Sequence, residues 1–280
     1  TGGPWGAQGG GPPVEGTPDP HAGDPWGCLE ERRDPYPPIT PPPAGILYVV
    51  PIVDALRRDA QNPPEGLSIS LCLAGDPNCK EPQQPAFGPV DGQPLAVFGV
   101  AVPFNFSGYM RLEADGYVTT EYVFGGPMIG GPDASQIDGH WIVPGLEIAP
   151  PRPDTMDDWF DADFAHGATR EPGKGLLALR TIDCNGKRAA GVRVVSESSG
   201  IGFAYSSDGS GGFHTDSPPN DRLTPLTDKY GLAGFANLEP GNVRVQGQLE
   251  SGVSYGNPAF RIRPDQVTVG ELRPDYSYGR

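Results

Sequence analysis

Residues 227–249 read TDKYGLAGFANLEPGNVRVQGQL, and this run decides the fold class. Asp228 to Gly231 has turn chemistry, Leu232 to Leu238 is mostly apolar, and Glu239-Pro240-Gly241 is a second turn. Val243, Val245 and Leu249 then share one side of a strand, with Arg244 on the other. The reading is a β-hairpin whose second strand has a dry face, which specifies a sandwich. An earlier stretch repeats the plan. Asp91-Gly92 opens it, Leu95, Val97, Phe98, Val100 and Val102 follow, and Gly108 leads into Met110 and Leu112. Both copies contain glycine, any residue, apolar, arginine, apolar, as GYMRL at 108–112 and GNVRV at 241–245. The turn-to-glycine spacing is wider in the first, so the repeat is a diverged one.

Composition agrees with a β protein and argues against a helical one. The 41 glycines and 35 prolines in 280 residues carry no three-residue period and sit between credible strands. Lys and Arg number 20 against 35 Asp and Glu, a net charge of −15, which disfavours nucleic acid and acidic membranes. Cations, basic surfaces and neutral sugars remain open as partners. No run approaches the roughly 18 apolar residues of a membrane span. Thr1-Gly2-Gly3 lacks the basic start and apolar run of a signal peptide, so an exported chain is expected to be a mature form.

The cysteines are Cys28, Cys72, Cys79 and Cys184, with no CxxC pair and no zinc-cage spacing. Cys72 and Cys79 flank a turn-forming loop that can bring their β-carbons within bonding range. Three pairings are open; we favour Cys72 with Cys79 and Cys28 with Cys184, the second tying the N-terminal arm to the later domain. Disulfides, few lysines and many turns point to an extracellular or cell-surface location.

Along the chain, residues 1–45 are a Gly/Pro-rich extended arm, too proline-rich for a helix or an inner strand. Residues 46–128 form the first β-sandwich domain, opening on the apolar run Ile46 to Val53 and including the alternating Leu67, Ile69 and Leu71. Residues 129–175 are a connector in which Asp154 to Phe164 forms a short acidic helix with Met156, Trp159 and Phe160 on one side. Residues 176–272 form the second sandwich, and 273–280 are an exposed tail. The expected fold is therefore all-β: two tandem small antiparallel β-sandwich domains of the prealbumin-like or immunoglobulin-like kind, with the extended arm and a short connector helix.

Residues 183–194, DCNGKRAAGVRV, and then Thr227-Asp228 through Val245 resemble the carboxypeptidase-regulatory-like, or transthyretin-like, β-sandwich superfamily. Such domains occur in secreted or lipid-anchored surface proteins of bacteria such as myxobacteria. The resemblance implies that Gly191-Val192 bends into the second strand, and that Gly231, Phe235 and Pro240-Gly241 supply the strand, buried aromatic and turn of a hairpin. It covers residues 176–265 and, more loosely, 67–128. It implies a scaffold without catalytic residues.

Chemistry has to come from outside that scaffold. His21, His140, His166 and His214 are isolated, without HExxH spacing, and no serine sits in a GxSxG elbow. Asp161 and Asp163, and separately Asp133 and Asp138, are candidate calcium ligands, with a solvated acidic face as the plain reading. Trp5, Trp26, Tyr36, Trp159, Tyr276 and Tyr278 are large aromatics in arm, connector and tail, hard to place in a small core, and therefore candidate contacts with another protein. A sandwich edge can also accept an extended segment from a neighbour. The leading functional expectation is a non-catalytic structural subunit of a surface or filamentous assembly. The second is a carbohydrate-binding or adhesion module assisted by calcium, with a glycan as partner. The third is a hydrolase using connector carboxylates. No cofactor other than calcium is expected.

Overall fold

The computed structural model describes residues 24–31, 45–51, 66–83, 87–89, 97–102, 106, 108–123, 135–137, 140–144, 169–185, 187–206, 212–214 and 222–274, with the backbone path alone in 30–31, 45–51, 87–89, 97–102, 135–137, 140–144, 206 and 212–214. Its described helix is α1 (Gly27–Glu31). The strands are β1 (Gly45–Pro51), β2 (Ser68–Leu73), β3 (Phe87–Pro89), β4 (Val97–Val102), β5 (Gly108–Glu113), β6 (Thr120–Val123), β7 (Ser135–Ile137), β8 (His140–Pro144) and β9 (Gly175–Thr181). They continue as β10 (Val192–Ser196), β11 (Ile201–Ser206), β12 (Gly212–His214), β13 (Leu232–Leu238), β14 (Gly241–Leu249), β15 (Ser254–Tyr255), β16 (Ala259–Ile262) and β17 (Val267–Leu272). The architecture is predominantly β, consistent with tandem small sandwiches and with little helix. The connector helix expected at 154–164 lies outside the described residues.

The hairpin of the opening stretch is β13 followed by β14. Val243 and Val245 are each 1% exposed while Arg244 is exposed, the alternation that period two demands. Gly231 makes the tight entry to β13 with φ of +62°, and a β-carbon there would press on the Thr181 carbonyl and the Ala189 amide. The hairpin strands then part company. β14 pairs with β10, β15 and β16 in a four-stranded sheet, whereas β13 enters an eight-stranded sheet in the order β12-β11-β13-β9-β17-β6-β5-β2. Between them lies a core that includes Leu177, Leu179, Val192, Val194, Phe235, Val243, Val245, Phe260 and Ile262. Complete burial of a side chain of the Phe235 or Phe260 kind contributes about 1.5–3 kcal/mol.

The eight-stranded sheet runs through both segments that the sequence suggests as domains. β2, β5 and β6 come from residues 46–128, the other strands from 175–272, β9 starting one residue before the expected boundary, and the joint is the parallel pair β6–β17. The β9–β17 pair is parallel too, so strands read as antiparallel meet side by side in the same direction at the centre of this sheet. A five-stranded sheet, β3-β4-β1-β8-β7, contains a third parallel pair, β1–β8. Local alternation says nothing about such pairings, because strand direction is set by how the chain returns.

The second face of the eight-stranded sheet is also dry. Ile69, Leu71, Met110 and Leu112 are at most 2% exposed, and Leu176, Phe203, Ala236 and Val267 form a further buried cluster with Val118. Register places the first four opposite one another across β2 and β5, as Ile69 with Leu112 and Leu71 with Met110.

Candidate functional site

Three features stand out where the chain is tied together. The first is an arm dock. Cys28 and Cys184 are joined by a disulfide with 5.8 Å between α-carbons, closing a sequence separation of 156. Around it the Cys184 amide donates to the Pro25 carbonyl at 2.9 Å, and Trp26 lies 5.0 Å from the Tyr255 ring at a tilt of 42°. The arm therefore packs, at 24–31, against its own second sandwich. Trp26, a candidate contact for another protein, is half-buried in this intramolecular stack.

Beneath the dock, the Asp183 carboxylate accepts from the Asn185 and Lys187 amides at 2.8 and 2.9 Å, an Asx turn that fixes the loop carrying Cys184. Burial raises Asp183 above the ordinary carboxylate range, against those two bonds. Burial also raises the neighbouring Tyr255 phenol far above its ordinary value, with the charge of Asp183 adding to the effect. Tyr255 is therefore neutral at any physiological pH, and its buried hydroxyl makes no hydrogen bond to the described residues.

The second feature is an ionic hub on β6. Glu121 is 2% exposed and gathers two arginines on one oxygen, Oε1: Arg111 Nη2 at 2.8 Å, Arg111 Nε at 3.2 Å and Arg263 Nε at 2.7 Å. Burial opposes the charge of Arg111, but the hydrogen bond and charge of Glu121 outweigh it and hold the guanidinium above its ordinary value. Arg263 also donates to the Pro77 carbonyl and to the Tyr109 hydroxyl, while Tyr109 donates to the Asp76 carbonyl at 3.1 Å. Asp76 and Pro77 belong to the loop closed by the Cys72–Cys79 disulfide, whose α-carbons are 5.1 Å apart. The hub therefore clips that loop to the chain after β16.

The third feature is the treatment of edges. On the free side of β10, Thr227 and Thr224 each act twice: their hydroxyls accept from the Val192 and Val194 amides at 3.1 and 2.9 Å, and their own amides donate to the Val192 and Val194 carbonyls at 2.9 and 3.0 Å. Both threonines are almost fully buried. This strap satisfies the edge, so β10 is closed to an added strand. The β2 edge is bridged at Leu71 by Gln83, with both bonds at 2.8 Å. Elsewhere Asn237, with φ of 54°, holds residues 169–171 through both ends of its amide.

Of the other expected contact residues, Trp5, Tyr36, Trp159, Tyr276 and Tyr278 lie outside the described residues, as do Asp133, Asp138, Asp161 and Asp163. Among the described residues, no group of three or more His, Cys, Asp or Glu is placed to hold a metal ion, and no helix is long and apolar enough to cross a membrane. An open cleft of about 400 Å³ is lined by Arg193, Leu226, Gln248, Leu249, Glu250 and Gly252, without an aromatic ring for a sugar to stack on. Glu121, Arg263, Thr224 and Thr227 were not expected as organising residues. A signal existed for Glu121, a carboxylate at a strand position between aromatic and β-branched neighbours; none distinguishes Arg263 from any surface arginine.

No family model matches the chain and no curated protein matches it. Among solved structures it is similar to the Bacillus anthracis TIE protein, at 10% identity and a TM-score of 0.24 over 83% of this chain and 34% of that one. It is also similar to a streptococcal ancillary pilin, at 16% identity and a TM-score of 0.23 over 82% of this chain and 69% of that one. The chain spans about a third of the length of the first protein, and at these scores neither likeness carries an argument.

Proposed function

We propose that the chain is a non-catalytic, extracellular structural subunit of a surface or filamentous assembly, in which arm, connector and tail contact neighbouring chains. The observation that carries this reading is the arm dock. The arm is stapled at its middle by Cys28–Cys184, with Trp26 packed beside the staple on Tyr255. A staple at that point gives the flanking arm sequence a fixed origin, and fixing an arm before binding lowers the ordering cost that association would otherwise carry. Trp5, Tyr36, Trp159, Tyr276 and Tyr278 are the proposed anchors. Two disulfides suit an oxidising compartment. The strapped β10 edge favours assembly through side chains over strand addition at that edge.

The test is native mass spectrometry with negative-stain imaging of the full chain over a concentration series. Oligomers or filaments that disappear when Trp5 and Tyr36 are replaced by alanine are expected. A strict monomer with a protease-sensitive arm would refute the reading.

A further inference from the structure

We propose that the arm dock is exchangeable between copies: residues 24–31 of one chain fill the dock of a second chain and are bonded there, Cys28 of the first to Cys184 of the second. The proposal deepens the assembly reading above and rests on it. Trp26 and Leu29 pack against the core cluster that holds Tyr255, and Cys28 is 6% exposed, so the segment is a plug in the second sandwich. Withdrawing the plug uncovers apolar core, so each dock is filled by one plug or another. The contacts of the plug run to residues far along the chain. The disulfide spans 156 positions, and the Asn185 side-chain amide donates to the Asp24 carbonyl at 3.5 Å across 161. No local sequence relation requires plug and dock to share a molecule, and every copy carries both. The rim of the dock is on the surface, with Asp24, Pro25 and Lys187 exposed and Trp26, Cys184 and Asn185 half-buried.

Residues 32–44, RRDPYPPITPPPA, join the plug to β1, with six prolines among 13 residues. At about 3.1 Å per residue, a proline-rich spacer of this length reaches about 40 Å. That is about three times the roughly 13 Å radius of gyration of a 100-residue domain, enough to reach an adjoining copy. A tether holds its own plug near its own dock at an effective concentration of about millimolar or less, so crowding of copies shifts plugs to neighbouring docks. Exchange of an identical element keeps every contact of the dock, and head-to-tail exchange gives an open chain of copies. A covalent joint also holds copies of charge −15 together against their repulsion.

The joint forms by thiol–disulfide exchange. The thiolate of Cys28 in a copy whose bond is still open attacks Sγ of Cys184 in a second copy. A sulfur–sulfur bond forms between the copies as the bond from that Cys184 to its own Cys28 breaks. The displaced Cys28 leaves as a thiolate and attacks the next copy, so the number of disulfides is unchanged and no oxidant or reductant is consumed.

The test oxidises the reduced full chain in a glutathione buffer, as an equal mixture of ordinary and heavy-isotope-labelled copies over a concentration series. Native mass spectrometry sizes the products, and digestion without reduction identifies the isotopes on each side of the Cys28–Cys184 bond. Oligomers that grow with concentration are expected, with roughly half of their Cys28–Cys184 pairs joining one isotope to the other. Oligomers whose pairs are all of a single isotope overturn the exchange and leave the assembly reading standing. A chain that stays monomeric throughout removes both. A second arm mixes Cys28→Ser with Cys184→Ser copies, each verified as folded by a thermal melt. A dimer linked through Cys28 and Cys184 is expected, about tenfold less of it when the Cys184→Ser copy also carries Trp26→Ala, since docking places the thiol. Bonds of Cys28 to Cys28 and Cys184 to Cys184 in its place, or no loss with Trp26→Ala, overturn docking of the second copy's plug. If either serine variant misfolds, the isotope mixture of the native chain decides alone.

Discussion

GYMRL in β5 and GNVRV in β14 are the same five-residue pattern with opposite fates for the arginine. In β14 the apolar residues face the core and Arg244 faces water. In β5 the apolar residues are just as deeply buried, Met110 at 1% and Leu112 at 0%, yet Arg111 is covered too, at 17% side-chain exposure, and meets Glu121. The difference lies in what covers the second face. β14 belongs to a sheet with one free side, whereas β5 lies inside an eight-stranded sheet whose other side receives the Cys72–Cys79 loop and Arg263. The same alternation thus specifies one face of a strand and leaves the other to its neighbours, and an arginine on that second face becomes either solvated or a charge that must be paired.

The largest effect should come from removing the pairing. Glu121→Ala leaves two covered guanidinium groups without their carboxylate and should cost about 3–5 kcal/mol in urea unfolding. Arg244→Ala in the matching position should stay within about 0.5 kcal/mol. Equal losses at the two sites would break the comparison. A smaller effect is expected at the strap that closes β10. Thr224→Val and Thr227→Val keep shape but leave the Val194 and Val192 amides without an acceptor, at about 1–3 kcal/mol each. The exposed edge should then show as aggregation in light scattering.

Replacing Arg111 by Met, Glu121 by Leu and Arg263 by Met together sharpens the contrast further. This triple variant should recover most of the stability lost by Glu121→Ala, because no buried charge is left unpaired. Failure to recover would mean that the bond from Arg263 to the Pro77 carbonyl carries more of the clip than the ion pairs do.

The smallest effect concerns Asp183, a buried carboxylate held by amides rather than by a cation. Its folded pKa is raised, so the folded chain binds the proton more readily than the unfolded one. Ionised Asp183 therefore weakens the fold above its folded pKa, and the penalty fades as pH falls through that value toward the ordinary carboxylate range. Asp183→Asn keeps an acceptor for the Asn185 and Lys187 amides and should raise the urea midpoint slightly at neutral pH. The gap should close in acid; a gap that widens there would contradict the assignment.

Much of the scaffold was legible because it rests on local rules. Turn residues at Asp228 to Gly231 and Glu239 to Gly241, and alternation from Val243 onward, describe β13 and β14 without reference to anything distant. The bridged pair Cys72–Cys79 is similarly local, seven residues apart around a turn. The organising residues were less legible. Thr224 and Thr227 act through hydroxyls whose targets lie 30 and 35 positions away, and Arg263 reaches Glu121 across 142. Nothing in a window of sequence tells a buried arginine from a solvated one.

By itself, then, the amino-acid sequence determined many of the strands, their dry faces and the hairpin at 227–249, since steric periodicity and turn chemistry act between near neighbours, whereas β7 and β8 fall in the stretch 129–175 that reads as a connector. Only the tertiary structure decided that β6 and β17 run side by side, that one sheet passes through both halves, and that Arg111 is paired while Arg244 meets water. Those outcomes depend on which distant segment returns to cover a face, and burial and pairing of charge are properties of that return path.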